Sequence, residues 1–206
     1  MQIDPSLHTK AENYKLLTNL VVPRPIAWVT SLSPGGVINL APFSFFNAVG
    51  SDPLYVIISI GHNDLGGAKD TARNILANGE FVVNLVTEEL FDAMNISAAD
   101  FPAEMSELAA ANLHGAPSVR IRAPRVAEAQ ASLECTLFKT QALGANTLFI
   151  GEVVMFHVAD HLLGPRLRIE NFAPIGRLGS PSVYCRTSDR FDVARITYAQ
   201  WQKGGS

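Results

Sequence analysis

Apolar residues at Tyr14, Leu16, Leu17, Leu20 and Val21 recur with the spacing of one helix face, and Pro23 and Pro25 end the run. An entry helix is predicted there. Residues 26–32 form a short apolar run around Trp28 and Val29, and Ser33-Pro34-Gly35-Gly36 is a turn signal before Val37-Ile38-Asn39-Leu40. That pattern predicts a hairpin. Residues 41–49 continue in extended form, and Pro42 within them demands a bulge or a sheet edge because proline cannot donate to a ladder. Residues 54–60 are continuously apolar and β-branched, which predicts a strand covered on both faces. Residues 71–78 suit a helix with Asp70 as N-cap and Asn78-Gly79 as its stop, followed by a strand over 81–86. A helix is expected from Thr87, with Glu88 and Glu89 in its first turn, and another over 102–112. Residues 119–122, 131–140 and 148–158 read as strands, with Leu133, Cys135 and Leu137 alternating in the second. The tail, 202–206, reads as loose.

The pattern describes mainly β structure with peripheral helices, and closing the sheet into a barrel would remove its exposed edges. Length then sets the organisation. At 206 residues, with no internal repeat, charge block or low-complexity linker, the chain reads as one domain over 1–206 with its core at about 14–184. Hydrophobic residues make up 48% and charged ones 17%, so the chain can bury enough surface to offset its ordering entropy. So little surface charge also suggests apolar area hidden between two copies of the chain. A formal net charge of −3 offers no basic footprint for nucleic acid. The amino terminus lacks the basic start and apolar run of a signal peptide, and the apolar segments are too short or, at Glu152, too interrupted to span a bilayer. Cys135 and Cys185 show no metal or redox spacing. A cytoplasmic protein with reduced thiols, bound neither to membrane nor to nucleic acid, is expected.

Two stretches carry candidate chemistry. Residues 61–71 lie between a strand and a helix and contain Gly66, Gly67, Lys69, Asp70 and Thr71. A lysine beside free N–H groups at a helix start makes an anion site, and Thr71 adds a hydroxyl. The spacing is not that of a P-loop, whose Lys and Ser/Thr follow the second fixed glycine directly. The plain alternative is a surface loop with a solvated lysine. In residues 39–47, Asn39, Ala41, Pro42, Phe43, Ser44 and Asn47 mix amides and a hydroxyl with phenylalanines, the lining a planar polar heterocycle needs, although a Phe-rich strand can equally be core. Thr30 and Ser31 could serve a ligand or only the next turn. His157 and His161 are four apart, but His157 ends a strand and no third ligand is near, so no metal site is expected. Arg24 and Arg177, each beside proline or glycine turns, could face an anion or a second copy of the chain, or form surface ion pairs of negligible energy. Neither Gly-x-Ser-x-Gly nor a helix-opening Gly-x-Gly-x-x-Gly occurs, which argues against an α/β hydrolase and a Rossmann dehydrogenase.

The succession of Arg24-Pro25-Ile26-Ala27-Trp28-Val29-Thr30-Ser31, residues 39–47, Lys69-Asp70-Thr71 with Asn74, and Phe81-Val82-Val83-Asn84 resembles the flavin reductase-like family of FMN-binding split barrels, on the branch that includes flavoredoxin. The resemblance implies a homodimer binding FMN between subunits, with Ser59, Lys69, Asp70 and Thr71 near the phosphate. Thr30, Ser31, Asn39, Ala41, Pro42, Phe43, Ser44 and Asn47 would hold the ribityl chain and ring. It implies an oxidoreductase, an NAD(P)H-dependent flavin reductase that takes hydride onto flavin and passes electrons to an acceptor, with no dedicated acid or base and so no catalytic residue to name. The alternative is a non-enzymatic FMN electron carrier of flavoredoxin type, reduced by a redox protein partner. One departure concerns the donor: flavin reductase components carry a late Gly-x-His element, and here residues 174–180 read Pro-Ile-Gly-Arg-Leu-Gly-Ser instead.

Overall fold

The computed structural model describes residues 1–63 and 66–204. Asp64 and Leu65, inside the expected anion loop, and Gly205 and Ser206 of the tail lie outside the described residues. In chain order the elements are α1 (Lys10–Leu20), β1 (Ala27–Leu32), β2 (Ile38–Phe43), β3 (Phe46–Ser51), β4 (Leu54–Gly61), α2 (Asp70–Asn78), β5 (Glu80–Asn84), α3 (Phe91–Ile96), α4 (Glu107–Ala110), β6 (Gly115–Ala116), β7 (Arg125–Val126), β8 (Ala131–Leu143), β9 (Asn146–Val158), β10 (Gly176–Arg177), β11 (Tyr184–Cys185) and α5 (Tyr198–Gly204), with short 3-10 turns between some of them.

Seven strands form one sheet in the order β2-β1-β5-β8-β9-β4-β3, every pair antiparallel. Its two edges, β2 and β3, are consecutive in the chain and joined only by Ser44 and Phe45. A two-residue link cannot cross the width of a flat seven-stranded sheet, so the sheet curls until its edges meet at that corner. The Ser59 N–H on β4 donates to the Phe45 carbonyl there at 2.8 Å. Pro42 sits on the edge strand β2, opposite Trp28, where its missing donor costs nothing.

Period-two alternation divides the core between the two faces. Trp28 and Leu40 pack with Val86, Met94, Leu108 and Val126 on one side, whereas Ala27, Val29, Val56, Ile58, Phe81, Val83 and Phe149 pack with Ile75 of α2 on the other. Gly151 on β9 is fixed by that packing, since a Cβ there would come within 2.4 Å of the Phe81 ring. Gly79 ends α2 in the left-handed region at φ 71°, with its N–H on the Ile75 carbonyl, as the sequence predicted for that stop.

Several expectations need correction. On β4 only Val56, Ile58 and Ile60 are buried, and Tyr55, Ile57 and Ser59 are half-buried, so one face of this apolar strand is only partly covered by the described residues. α2 starts at Asp70 with Lys69 in the cap position, because the Asp70 carboxylate turns to the Arg73 guanidinium instead of back onto the helix start. The helix expected over 102–112 is a single turn from Glu107, ended by Asn112 at φ 55°. No strand forms at 119–122, where the N–H groups of Val119 and Arg120 donate to the Glu134 carboxylate, both at 2.7 Å, instead of to a neighbouring strand. The tail is helical through Gly204, started by Thr197 and Gln200, each of whose side chains accepts the other's backbone N–H. No helix among the described residues is long and apolar enough to cross a membrane.

Candidate functional site

The first turn of α2 is held against β2 by a buried polar network. The Thr71 hydroxyl donates to Asn39 Oδ1 at 2.6 Å, the Ser31 hydroxyl donates to the same oxygen at 3.2 Å, and the Asn74 amide donates to the Ser31 oxygen at 3.2 Å. Beneath them, Glu107 of α4 accepts from Asn39 Nδ2 at 2.8 Å and from the Leu40 N–H at 2.9 Å. All five side chains are buried. Buried polar groups survive only when partnered, so the network fixes each rotamer and thereby the position of α2 against the sheet. Burial pushes the Glu107 carboxyl above its ordinary range, and the nearby Asp70 charge adds to that, against the opposing bonds from Leu40 and Asn39.

Over this floor opens a cleft of about 230 Å³, walled by Asn39, Ala41, Pro42 and Phe43 of β2, Lys69, Asp70 and Thr71 at the start of α2, Asn63, the segment 97–101 that follows α3, and Glu107. Lys69 offers no side-chain cap, and the N–H groups of Asp70, Thr71 and Ala72 find no protein acceptor among the described residues. Three N–H donors at the positive end of a nine-residue helix, beside a half-buried lysine, suit an anion with several acceptor oxygens. Of the three carboxylates in the wall, Asp70 pairs with Arg73, Glu107 accepts from Asn39 and Leu40, and Asp100 stands exposed to solvent. The donor set therefore fits a phosphate monoester, and the Pro42 and Phe43 side chains give the cleft an apolar rim.

Of the residues singled out in the sequence, Asn39, Ala41, Pro42, Phe43, Lys69, Asp70 and Thr71 gather around this cleft. Ser31 and Thr30 lie fully buried behind it: Ser31 belongs to the network, and the Thr30 hydroxyl donates to the Pro124 carbonyl. Thr71 likewise spends its hydroxyl proton on Asn39, which leaves its backbone N–H for a ligand. Ser44, Asn47 and Ser59 line a different, largely apolar cleft of about 330 Å³ with Leu17, Val21, Arg24, Phe45, Ile57 and Leu148. Here Arg24 donates to the carbonyls of Thr18, Val21 and Leu178 and so ties the end of α1 to the strand region around Leu178. Glu107 and the segment 97–101 escaped the sequence reading. A glutamate in an Ala- and Leu-rich stretch carries no local mark of a partner 68 residues away.

His157 pairs with Glu134, Nε2 to Oε1 at 2.5 Å, on the sheet away from this cleft. No group of three or more His, Cys, Asp or Glu arranged to hold a metal occurs among the described residues. Both cysteines are free, and burial raises the Cys135 thiol above its ordinary range, with the Glu134 charge adding to the effect.

Residues 19–191 match the family model described as the flavin reductase like domain. An uncharacterized protein of Aquifex aeolicus is 44% identical over 168 residues, covering 81% of this chain and 86% of its own length. Among solved structures, nitrilotriacetate monooxygenase component B from Bacillus cereus superposes with a TM-score of 0.89 at 40% identity, over 94% of this chain and 98% of that one. The 2-nitrobenzoate 2-nitroreductase of Pseudomonas fluorescens superposes with a TM-score of 0.88 at 37% identity, over 96% of this chain and 98% of that one.

Proposed function

The chain belongs to the flavin reductase-like domain family, and from that premise we propose that it is an FMN-binding oxidoreductase that accepts hydride from NAD(P)H and hands electrons to a separate acceptor. The observation that carries the reading is the donor set at the start of α2, where Lys69 and three N–H groups without a protein acceptor among the described residues stand over a hydrogen-bonded floor. Those groups would hold the FMN phosphate. Asn39, Ala41, Pro42 and Phe43 would hold the ribityl chain and the near edge of the ring. Bound FMN supplies the hydride and electron chemistry, and the protein contributes orientation and electrostatics. The resemblance of the fold to a monooxygenase component and to a nitroreductase supports an oxidoreductase over a passive module.

The cleft of about 230 Å³ lies below the roughly 300–1,000 Å³ usual for small-molecule sites. A second copy of the chain completes it in this reading, as a homodimer of split barrels. Support comes from apolar surface that one copy leaves open: Tyr14, Leu17, Leu20 and Val21 on and just past α1 are each more than half exposed, next to the half-buried face of β4. The curling of the sheet about Ser44 and Phe45 supports the barrel.

The test is the visible spectrum of the purified protein, followed by anaerobic mixing with NADH and with NADPH. Flavin absorption that bleaches with either nucleotide is the expected result. A colourless protein that takes up no added FMN would overturn the cofactor, and bound flavin that neither nucleotide bleaches would overturn the donor.

A further inference from the structure

We propose that Arg177 forms the anchoring end of a subsite for a small aromatic carboxylate, placed beside the flavin cleft. Only its location rests on the flavin reading. A cavity of about 220 Å³ is lined by Ile26, Pro42, Phe43, Ser44, Met94, Ala98, Arg177 and Tyr184, and it shares Pro42, Phe43 and Ala98 with the wall of the flavin cleft. Its walls combine apolar and aromatic side chains with the Ser44 side chain, the Tyr184 hydroxyl and one charged group, the half-buried guanidinium of Arg177. Among the described residues no carboxylate lies within ion-pair distance of that guanidinium. A partly desolvated cation without a counter-ion is costly, and a chain keeps one most readily where an anionic ligand supplies the missing charge.

The arginine is also held in place. Its backbone exchanges hydrogen bonds with Arg24, both at 2.8 Å, and pairs with Tyr184 across β10 and β11. The guanidinium stacks 4.6 Å from the Tyr184 ring centroid, donates through Nη1 to the Tyr184 hydroxyl, and donates through Nη2 to the Pro181 carbonyl. Tyr184 is braced in turn by Phe91, edge to face at 4.8 Å. Two of the five N–H donors of the fork are thus spent on orientation, leaving the others for a ligand. A planar fork matches a carboxylate geometrically, and pre-orientation removes the entropy a flexible side chain would lose on binding. The remaining walls and the small volume accommodate a single ring. The class is therefore a one-ring aromatic acid, bound with its ring toward Phe43 and Met94.

Calorimetric titration of benzoate and its neutral counterpart benzamide into the FMN-loaded protein and into Arg177→Gln tests the assignment. Benzoate is expected to bind the wild type about tenfold or more tighter than benzamide, the scale of a charge-assisted hydrogen bond. Arg177→Gln should abolish that preference at unchanged FMN content, and Arg177→Lys, which keeps the charge and loses the fork, should retain part of it. Equal affinity of the wild type for the two compounds would overturn the subsite without any variant. Loss of FMN from Arg177→Gln would also overturn it by assigning the arginine to the flavin itself. If the wild type binds no FMN, the flavin reading alone fails, and a preference for benzoate on the colourless protein still supports the subsite.

Discussion

Two glutamates are buried to nearly the same degree, Glu107 at 6% exposure and Glu134 at 0%, and their surroundings move them in opposite directions. Burial raises both. At Glu134 the bonds from the Val119 N–H, His157 and the Arg120 N–H together outweigh burial, and the carboxyl is held below its ordinary range. At Glu107 burial prevails over the bonds from the Leu40 N–H, its own N–H and the Asn39 amide; it has no cationic partner among the described residues and Asp70 repels it, so its carboxyl is held above that range. The first carboxylate organises a loop on the sheet far from the cleft, ordering residues that the sequence suggested were a strand. The second lies in the floor of the cleft, where a carboxylate without a counter-ion is tolerated because its bonds lock Asn39 and, through it, Thr71. Equal burial thus accompanies unequal roles, and the partner set distinguishes the scaffold from the site.

The largest expected effect falls on the scaffold side. Glu134→Ala strands two backbone N–H donors and removes the contact to His157, so the folded state should lose about 2–5 kcal/mol, read as a lower denaturant midpoint. FMN affinity measured under native conditions should stay within a few-fold of wild type. Lys69→Ala should do the reverse. Loss of one charge-assisted contact weakens FMN binding by about 1.5–3 kcal/mol, seen in the dissociation constant from fluorescence titration, with the denaturant midpoint of the flavin-free protein almost unmoved. If Lys69→Ala bound FMN as tightly as wild type, the phosphate role would leave Lys69 and the division between scaffold and site would fail at its centre.

That division was partly legible in the sequence. The hairpin of β1 and β2, Pro42 at an edge and the Gly79 stop follow from local chemistry, namely turn residues, a missing N–H and a left-handed cap. Lys69, Asp70 and Thr71 could be marked because the proposed anion site lies in contiguous residues at a helix start. Local text misses what long-range partners decide. Glu107 reaches Asn39 across 68 residues, and Glu134 reaches Val119 across 15 and so displaces an expected strand. Thr30 and Ser31 carry ligand-type hydroxyls and still lie wholly inside, because sequence gives the residue type at a strand end and the packing of α2 and Pro124 decides what it faces. The half-buried face of β4 is the same lesson in apolar form, since a continuous hydrophobic run does not show how far each face of the strand is covered.

The smallest effect is a difference in pH slope, and it separates the two glutamates most cleanly. For Glu107 the folded-state carboxyl titrates above its ordinary value of 4.5, so the folded chain binds the proton more tightly than the unfolded one. Its contribution to stability is then full below that ordinary value and is lost as the pH rises through the folded-state value. For Glu134 the folded-state carboxyl titrates below 4.5, so its contribution is full above that value and is lost as the pH falls through the folded-state one. Denaturant midpoints of wild type, Glu107→Gln and Glu134→Gln, followed from neutral pH into acid, isolate each term by difference. On acidification the wild type should gain stability relative to Glu107→Gln, and it should lose stability relative to Glu134→Gln. Two differences of the same sign would mean that burial alone sets these carboxyls and that partner sets do not distinguish the floor of the cleft from the scaffold.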